Sequence, residues 1–466
     1  MLILGLNKSL WLDEVYTIKL SVISFKHVIL TTATDVHPPL YYLILKSILL
    51  ILPKSLSFNN IYIYKLVSVI PIVLLLCFSL TRLRKDFGWL TSGIFGFCII
   101  TMPKMMIYAT QIRMYSWVMF FATISFYYAY KLLKQANNKN WIIFTIFNLL
   151  TIYTHYYGAI AIVFIYLFLI LKNKNLINKW FLSAITLTSI YIPWVFLFLK
   201  KTVFGDNQWS KPTFQDIPNT IWFIFSPHYH DLDMTVLGII FLITFIILII
   251  YYISQIIKDK KNSSSLINGG FIVLIATMSF GCLFSVLIRP MFYPKYVFVV
   301  IGCFWLSFSV LLSKTYNSRK RIFVPILIFL IFVGICNSIT FINSENVSKF
   351  ADFEFKNYLN QISENDTIIY IGPQLMDRFF HFYLNNSIIY WWDNPINSTI
   401  TNITEKLHDG KVWVFYNGNN GFPDINGGIS SFNTTLIENG LKLGYLGEIK
   451  LTKFITYPRY LYTVNF

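Results

Sequence analysis

Charge is what this chain has least of. Of its 466 residues only 13% are charged, against about 25% in an ordinary soluble protein. Another 56% are hydrophobic, and the mean hydropathy is +0.58. That balance argues against a soluble globular enzyme and for a polytopic helical membrane protein. Acids are the scarcer sign, 21 Asp and Glu against 38 Lys and Arg. The basic excess forms no stripe fitted to a nucleic-acid groove, so nucleic acid is not an expected partner; anchoring of loops beside a membrane explains it better. Cysteine is also sparse. Cys77, Cys98, Cys282, Cys303 and Cys336 lie in apolar runs without C-x-x-C spacing, which argues against a thiolate metal centre and leaves them as small packed hydrophobes. No cleavable signal peptide is expected either, because Met1–Leu6 has no charged start and is too short for an apolar core.

What the chain does have is long apolar runs. A spanning helix needs about 20 apolar residues, and ten candidate spans are expected near 61–81, 88–104, 114–131, 141–153, 156–171, 180–199, 234–253, 270–288, 294–312 and 322–341. The basic clusters Arg82/Arg84/Lys85, Lys131/Lys134/Lys139, Lys172/Lys174/Lys179, Lys258/Lys260/Lys261 and Lys314/Arg319/Lys320/Arg321 fall after every second span. Positive loops stay cytoplasmic, so the first 60 residues and the tail are expected on the other side of what is expected to be a plasma membrane. That parity requires the run 37–52, bounded by prolines and carrying Lys46, to be a juxtamembrane or re-entrant helix. A tight hairpin is expected at Tyr153-Thr-His-Tyr-Tyr-Gly158, bringing His155 to the membrane surface.

Three domains follow: 1–60, an extracytoplasmic first loop; 61–341, the helical bundle; and 342–466, a small extracytoplasmic α/β domain. In the last, expected strands at 367–371, 388–392, 412–416 and 442–450 alternate with helix-like stretches at 350–362, 374–384, 400–408 and 432–439. N-x-S/T sequons at Asn346, Asn365, Asn385, Asn397, Asn402 and Asn433 suit that side, although an Asn/Ser/Thr-rich composition explains them better.

The polar residues are not scattered evenly. Asp13, Glu14, Asp35, His37, Gln111, Arg113, His155, Arg289 and Lys295 all fall on the expected extracytoplasmic side, which implies a cleft. Acids there suit a general base, and cations at helix ends suit a phosphate. Each has a plainer reading: Asp13 and Glu14 as a solvated pair or helix cap, His37 as a cap, His155 as an interfacial histidine, Arg289 and Lys295 as snorkelling anchors. His228-Tyr-His-Asp-Leu-Asp233 has metal-ligand types but reads as a solvated loop, and no metal site is expected.

Several ordered segments resemble a known family. Trp11-Leu-Asp-Glu-Val-Tyr-Thr17, Asp35-Val-His-Pro-Pro-Leu-Tyr-Tyr42, Tyr108-Ala-Thr-Gln-Ile-Arg-Met-Tyr115, Tyr153-Thr-His-Tyr-Tyr-Gly158 and Pro294-Lys-Tyr296 are similar to motifs of the GT-C membrane glycosyltransferases. These enzymes, related to protein O-mannosyltransferases and the lipid A aminoarabinose transferase, use polyprenyl-phosphate sugars. The resemblance covers about residues 8–310 and implies inverting transfer from a dolichyl or undecaprenyl phosphate carrier to a glycan, lipid or protein acceptor, with membrane lipids as surroundings. It implies Asp13 or Glu14 as base and maps Asp35 and Arg113 onto family motif positions; joined to the polar residues above, the candidate set is Asp13, Glu14 and Asp35 as catalytic and His37, Lys65, Gln111, Arg113, Tyr115, His155, Arg289 and Lys295 as substrate-binding residues. No cofactor is required by this reading; a divalent metal is compatible with it.

Three departures stand out. Lys65 occupies the place of a family arginine, Gln111 the place of an acid, and only Met1–Leu6 precede the Asp-Glu loop, where the family has a complete span. Either the true start lies upstream or that helix is lacking. Tyr390-Trp-Trp-Asp-Asn394 resembles the Trp-Trp-Asp-Tyr-Gly signature of oligosaccharyltransferases without its Tyr-Gly, so Trp391 and Trp392 read as strand packing. The rival readings are a transporter or flippase, which would also place ionisable groups in its bundle but shows no inverted repeat, and a noncatalytic scaffold, which gives no reason for the Asp-Glu pair.

Overall fold

The structure is a computed structural model. It describes residues 10, 12–35, 37–52, 61–204, 213–226, 235–260, 264–288, 290, 292–371, 388–390, 403–408, 410–416, 428–448 and 460–465. The chain forms two compact units, one chiefly of Thr17–His228 and Asp233–Phe341, the other of Asn7–Tyr16 and Ile342–Phe466.

The first unit is helical. Three short helices lead in: α1 (Leu12–Val22), α2 (Phe25–Ala33) and α3 (Leu40–Ile51). At 1.5 Å per residue the 12 residues of α3 reach about 18 Å, short of a hydrocarbon core of about 30 Å. The long helices are α4 (Ile61–Phe78), α5 (Arg84–Thr101), α7 (Tyr115–Lys134), α8 (Asn138–Ile152), α9 (Tyr156–Lys172), α10 (Ile177–Phe204), α12 (Thr235–Lys258), α13 (Ser265–Leu287), α14 (Phe298–Ser318) and α15 (Lys320–Leu359). Two short helices lie outside the expected spans: α6 (Met105–Thr110) and α11 (Asp216–Phe225). Six helical stretches among the described residues are long and apolar enough to cross a membrane, and the protein is an integral membrane protein. The longest, Ile61–Thr101, has 41 residues, about twice what one crossing needs. It is interrupted by a π-helical turn at Ser79–Leu83 and by Gly88 at φ 83°, where Arg82, Arg84, Lys85 and Asp86 gather.

Two helices are sheathed by the others. In the stretch from Pro294 to Ser318, which contains α14, 89% of the apolar window is buried, and α7 packs against α4, α8, α9 and α14. Small residues permit the close approach. A Cβ on Gly302 of α14 would collide with Thr123 of α7, and one on Gly270 of α13 with Ser307 of α14. Without water to satisfy the backbone, this packing also repairs a defect. Pro71 inside α4 has no N–H for the carbonyl of Val67, and the Trp117 indole donates to that carbonyl at 3.2 Å. Ser116 donates to the Ser68 carbonyl at 2.6 Å. The start of α7 is thereby held against the middle of α4.

The second unit carries a five-stranded sheet in the order β2-β1-β3-β5-β4. β1 (Thr367–Ile371) lies parallel to β2 (Ile388–Tyr390) and to β3 (Val412–Tyr416). β5 (Tyr460–Asn465) runs antiparallel to β3 and to β4 (Lys442–Glu448). One face packs Ile369, Ile371, Val412, Val414 and Val464 against Phe432 and Leu436 of α16 (Gly428–Glu438). β5 has no counterpart among the expected strands. Its Tyr-Leu-Tyr-Thr-Val sequence follows a proline and a basic residue with little apolar alternation to mark it. The expected helix at 374–384, Trp391 and Trp392, the 228–233 segment, and Asn385, Asn397 and Asn402 lie outside the described residues.

Asp366 ties the start of β1 to the start of β3. Its carboxylate accepts from the backbone N–H of Ser363 and of Lys411 and from the Trp413 indole, each at 2.9 Å. Burial alone would raise its pKa, but these donors and the Ser363 hydroxyl together outweigh burial and hold it below the usual carboxylate value. The partners close tightly enough that a Cβ on Gly410 would sit 2.8 Å from the Asn365 carbonyl.

Candidate functional site

The polar residues of the first unit meet where helices turn. Ser24 caps α2, its hydroxyl accepting from the His27 N–H at 3.3 Å, and the helix closes with the Asp35 N–H on the Thr32 carbonyl at 3.1 Å. Pro38 and Pro39 cannot donate, so α3 starts at Leu40, and the Leu40 N–H reaches across to the Tyr153 carbonyl at 3.1 Å. That one bond ties the Asp-x-His-Pro-Pro loop to the turn between α8 and α9. The rings of His37 and His155 stand 5.0 Å apart as a result. Tyr42, in the first turn of α3, lies 3.5 Å from the Asp35 carboxylate, at the limit of a hydrogen bond.

His155 is the N-cap of α9 in extended backbone, and its Nδ1 accepts from the Tyr157 N–H at 3.1 Å. It is 2% exposed. At the expected hairpin the ring is enclosed, because Tyr115, Tyr157 and Tyr296 close around it with centroids 6.1, 6.1 and 4.9 Å away. Burial first, then the positive charges of Arg113 and Lys295, push its pKa down to about 3. The imidazole is neutral at physiological pH.

The cations come from two other turns. α6 ends at Thr110 with Gln111 as its C-cap, the chain folds with the Arg113 N–H 2.7 Å from the Gln111 carbonyl, and α7 begins at Tyr115. Arg113 is buried and donates to the Thr17 hydroxyl of α1 at 3.3 Å. Lys295 lies on a single 3-10 turn, Pro294–Val297, with its ammonium 5.8 Å from the centre of the Tyr115 ring and 5.1 Å from that of Tyr293. His37, Arg113, Tyr115, His155 and Lys295 are thus linked by contact or by field, and the charge of Asp35, two residues before His37, bears on Tyr156 beside His155. Tyr115 stands among them, touching Tyr108 at 5.1 Å on its other side.

Lys65 is buried in α4, three positions before Ser68, whose hydroxyl meets that of Tyr41 at 3.2 Å. Gln111 is half-buried, with its side-chain oxygen enclosed and accepting no hydrogen bond among the described residues. Arg289 lies outside the described residues. Asp13 and Glu14 occupy the first turn of α1, where carboxylates complement the helix dipole, in the part of the chain grouped with the second unit; Glu14 is buried and Asp13 partly so. Thr17, Tyr157 and Tyr296 were not singled out from the sequence, although each belongs to a quoted motif. Lys46 is also explained: its ammonium, buried in α3, donates to the Ser21 carbonyl at the end of α1 at 3.1 Å.

Beside this cluster lies an apolar cavity of about 220 Å³ between α9, α10 and α13, walled by Tyr156, Tyr157, Tyr191, Val195, Phe280 and Phe284. Gly281 keeps it open, because a Cβ there would collide with the Tyr157 ring. Two fixed cations, a neutral imidazole and several phenols beside an apolar slot suit an amphiphile with an anionic head.

The chain is 11% identical to the ArnT of Cupriavidus metallidurans bound to undecaprenyl phosphate, with a TM-score of 0.51 over 92% of this chain and 88% of that one. It has the GT-C glycosyltransferase fold. The apo ArnT of the same organism matches at a TM-score of 0.46 and 11% identity over 92% and 87% of the two chains. The Archaeoglobus fulgidus oligosaccharyltransferase in complex with Zn and sulfate matches at 0.39 and 11% over 81% and 59%. At such identity the GT-C likeness is one of fold. No protein-family profile and no curated protein matches the sequence.

Proposed function

We propose that the protein is a membrane glycosyltransferase that moves a sugar from a polyprenyl phosphate to an extracytoplasmic acceptor with inversion. The observation carrying this reading is the convergence of Arg113, Lys295, His37, His155 and Asp35 at the helix turns of a GT-C fold, beside an apolar cavity. In this reading Arg113 and Lys295 hold the carrier phosphate, which departs as an anion needing charge neutralisation more than a proton. Lys65, Gln111, Tyr115 and Arg289 complete the binding surface, and the apolar slot takes the first isoprene units. Asp35 and His37 position the acceptor or the reacting sugar. Asp13 or Glu14 removes the acceptor proton, and attack on the face opposite the phosphate inverts the anomeric centre. The positive-loop pattern supports an extracytoplasmic position for the site.

Membranes holding wild type, Asp13→Asn or Glu14→Gln, supplied with radiolabelled polyprenyl-phosphate sugars, test the acid's role. Loss of transfer in one variant at intact expression identifies the base. Full transfer in both removes the proposed chemistry.

A further inference from the structure

The His155 side chain makes one hydrogen bond among the described residues and is equipped for another. Its Nδ1 accepts the Tyr157 backbone N–H at 3.1 Å, so that nitrogen carries no proton, and in the neutral ring the proton resides on Nε2. Nε2 is buried and has no hydrogen-bond partner among the described residues. A buried N–H left without an acceptor costs free energy that a fold avoids unless something else supplies the acceptor. The surroundings say what kind. Arg113 and Lys295 both bear on His155 electrostatically, while His37, Tyr115, Tyr157 and Tyr296 are the other titratable groups around the ring. Two cations beside that N–H donor favour an anionic oxygen as its acceptor.

We infer that His155 is a substrate-binding donor with a fixed tautomer, giving its Nε2–H to an anionic phosphate oxygen of the lipid carrier while the α9 backbone holds its other nitrogen. This rests on the carrier reading above. It differs from a general acid: no proton leaves the ring, since protonating Nδ1 would break the cap of α9. The ring's two nitrogens therefore have separable jobs, one for the helix and one for the ligand.

Two substitutions separate them. In His155→Asn the side-chain oxygen keeps the cap on α9, Asn being a favoured N-cap residue, but nothing replaces the ε donor. In His155→Gln an N–H remains near the ε position and the cap is weakened. Undecaprenyl phosphate is titrated into the full chain in detergent, with undecaprenol as the uncharged control, and thermal melting is recorded for each variant. The expected result is a double dissociation. Gln binds the phosphate within about threefold of wild type and melts lower, whereas Asn melts like wild type and binds on the order of tenfold more weakly, the scale of one hydrogen bond to a charged group. Undecaprenol binding stays indifferent to both changes. Affinity that follows melting temperature, an unchanged affinity in Asn, or equal losses in the two variants would each overturn the assignment. Wild type that binds the phosphate no better than the alcohol marks a different failure, that of the carrier reading itself.

Discussion

Two buried polar centres in this molecule are built on opposite plans. Asp366, in the sheet of the second unit, has three donors at 2.9 Å, and all of them belong to the chain. His155, in the helical unit, is as thoroughly enclosed, yet one of its nitrogens has a chain partner and the other has none among the described residues. Full pairing is what a fold requires of a buried polar group that holds structure in place. Incomplete pairing among like charges is what a ligand completes. The helical unit can carry that deficit because its backbone is satisfied elsewhere, by i→i−4 bonds and by side chains such as Trp117 that repair its breaks.

The difference yields graded predictions. The largest effect is expected at Arg113, because a fixed cation facing a leaving phosphate acts where charge develops. Arg113→Ala lowers initial transfer rates at matched expression by about 100-fold or more, and Arg113→Lys recovers little because the fork geometry is lost. Melting temperatures should scarcely follow those rates; if they collapse together, Arg113 belongs with Asp366 on the structural side.

Asp366→Asn comes next. It replaces an acceptor of three hydrogen bonds by one that must turn a donor inward, at about 2 kcal/mol. Hydrogen exchange of the full chain should show protection in β1 and β3 falling by about 30-fold, with the membrane helices unaffected. The pH dependence has a definite sign. The folded carboxyl titrates below its unfolded value, so its stabilisation is present above the unfolded pKa of about 3.9 and disappears as pH falls through the folded one. The wild-type sheet loses protection on acidification through that window, and the Asn variant shows less of this loss.

A smaller loss is expected from Trp117→Phe. The Val67 carbonyl, which Pro71 already deprives of its helical partner, then loses its indole donor, costing about 1–2 kcal/mol in detergent melting. Transfer should fall too, since Trp117 follows Tyr115 and Arg113 by less than two turns. Lys46→Met is the mildest change. It removes one donor from the end of α1 but keeps the buried stem, and a shift of about 1 kcal/mol or less is expected in the same melts.

The sequence made the helical unit readable because apolar runs of spanning length have few other uses, and helices occupy the places where spans were expected. The short α6 and α11 carried no such signal, since six and ten residues leave little periodicity to read. In the sheet, β1 and β3 show as buried runs of β-branched and aromatic residues. β5 stayed hidden because its exposure alternates irregularly. For the site, residue types and motif order pointed to Asp35, His37, Arg113, Tyr115, His155 and Lys295. They did not reveal that the Leu40 N–H and the Tyr153 carbonyl join two motifs more than a hundred residues apart. Nor did they reveal that His155 is enclosed, because burial of a turn depends on the phenols that close over it from Tyr115 and Tyr296.

The most direct measurement compares donors. Membranes containing the wild-type protein, and membranes lacking it, are given sugar labelled either on a polyprenyl phosphate or on a nucleotide, and label reaching endogenous acceptors is counted. The account predicts protein-dependent transfer from the polyprenyl phosphate with no nucleotide sugar present. Transfer that requires the nucleotide sugar, or no protein-dependent transfer from any polyprenyl-phosphate sugar offered, would contradict it.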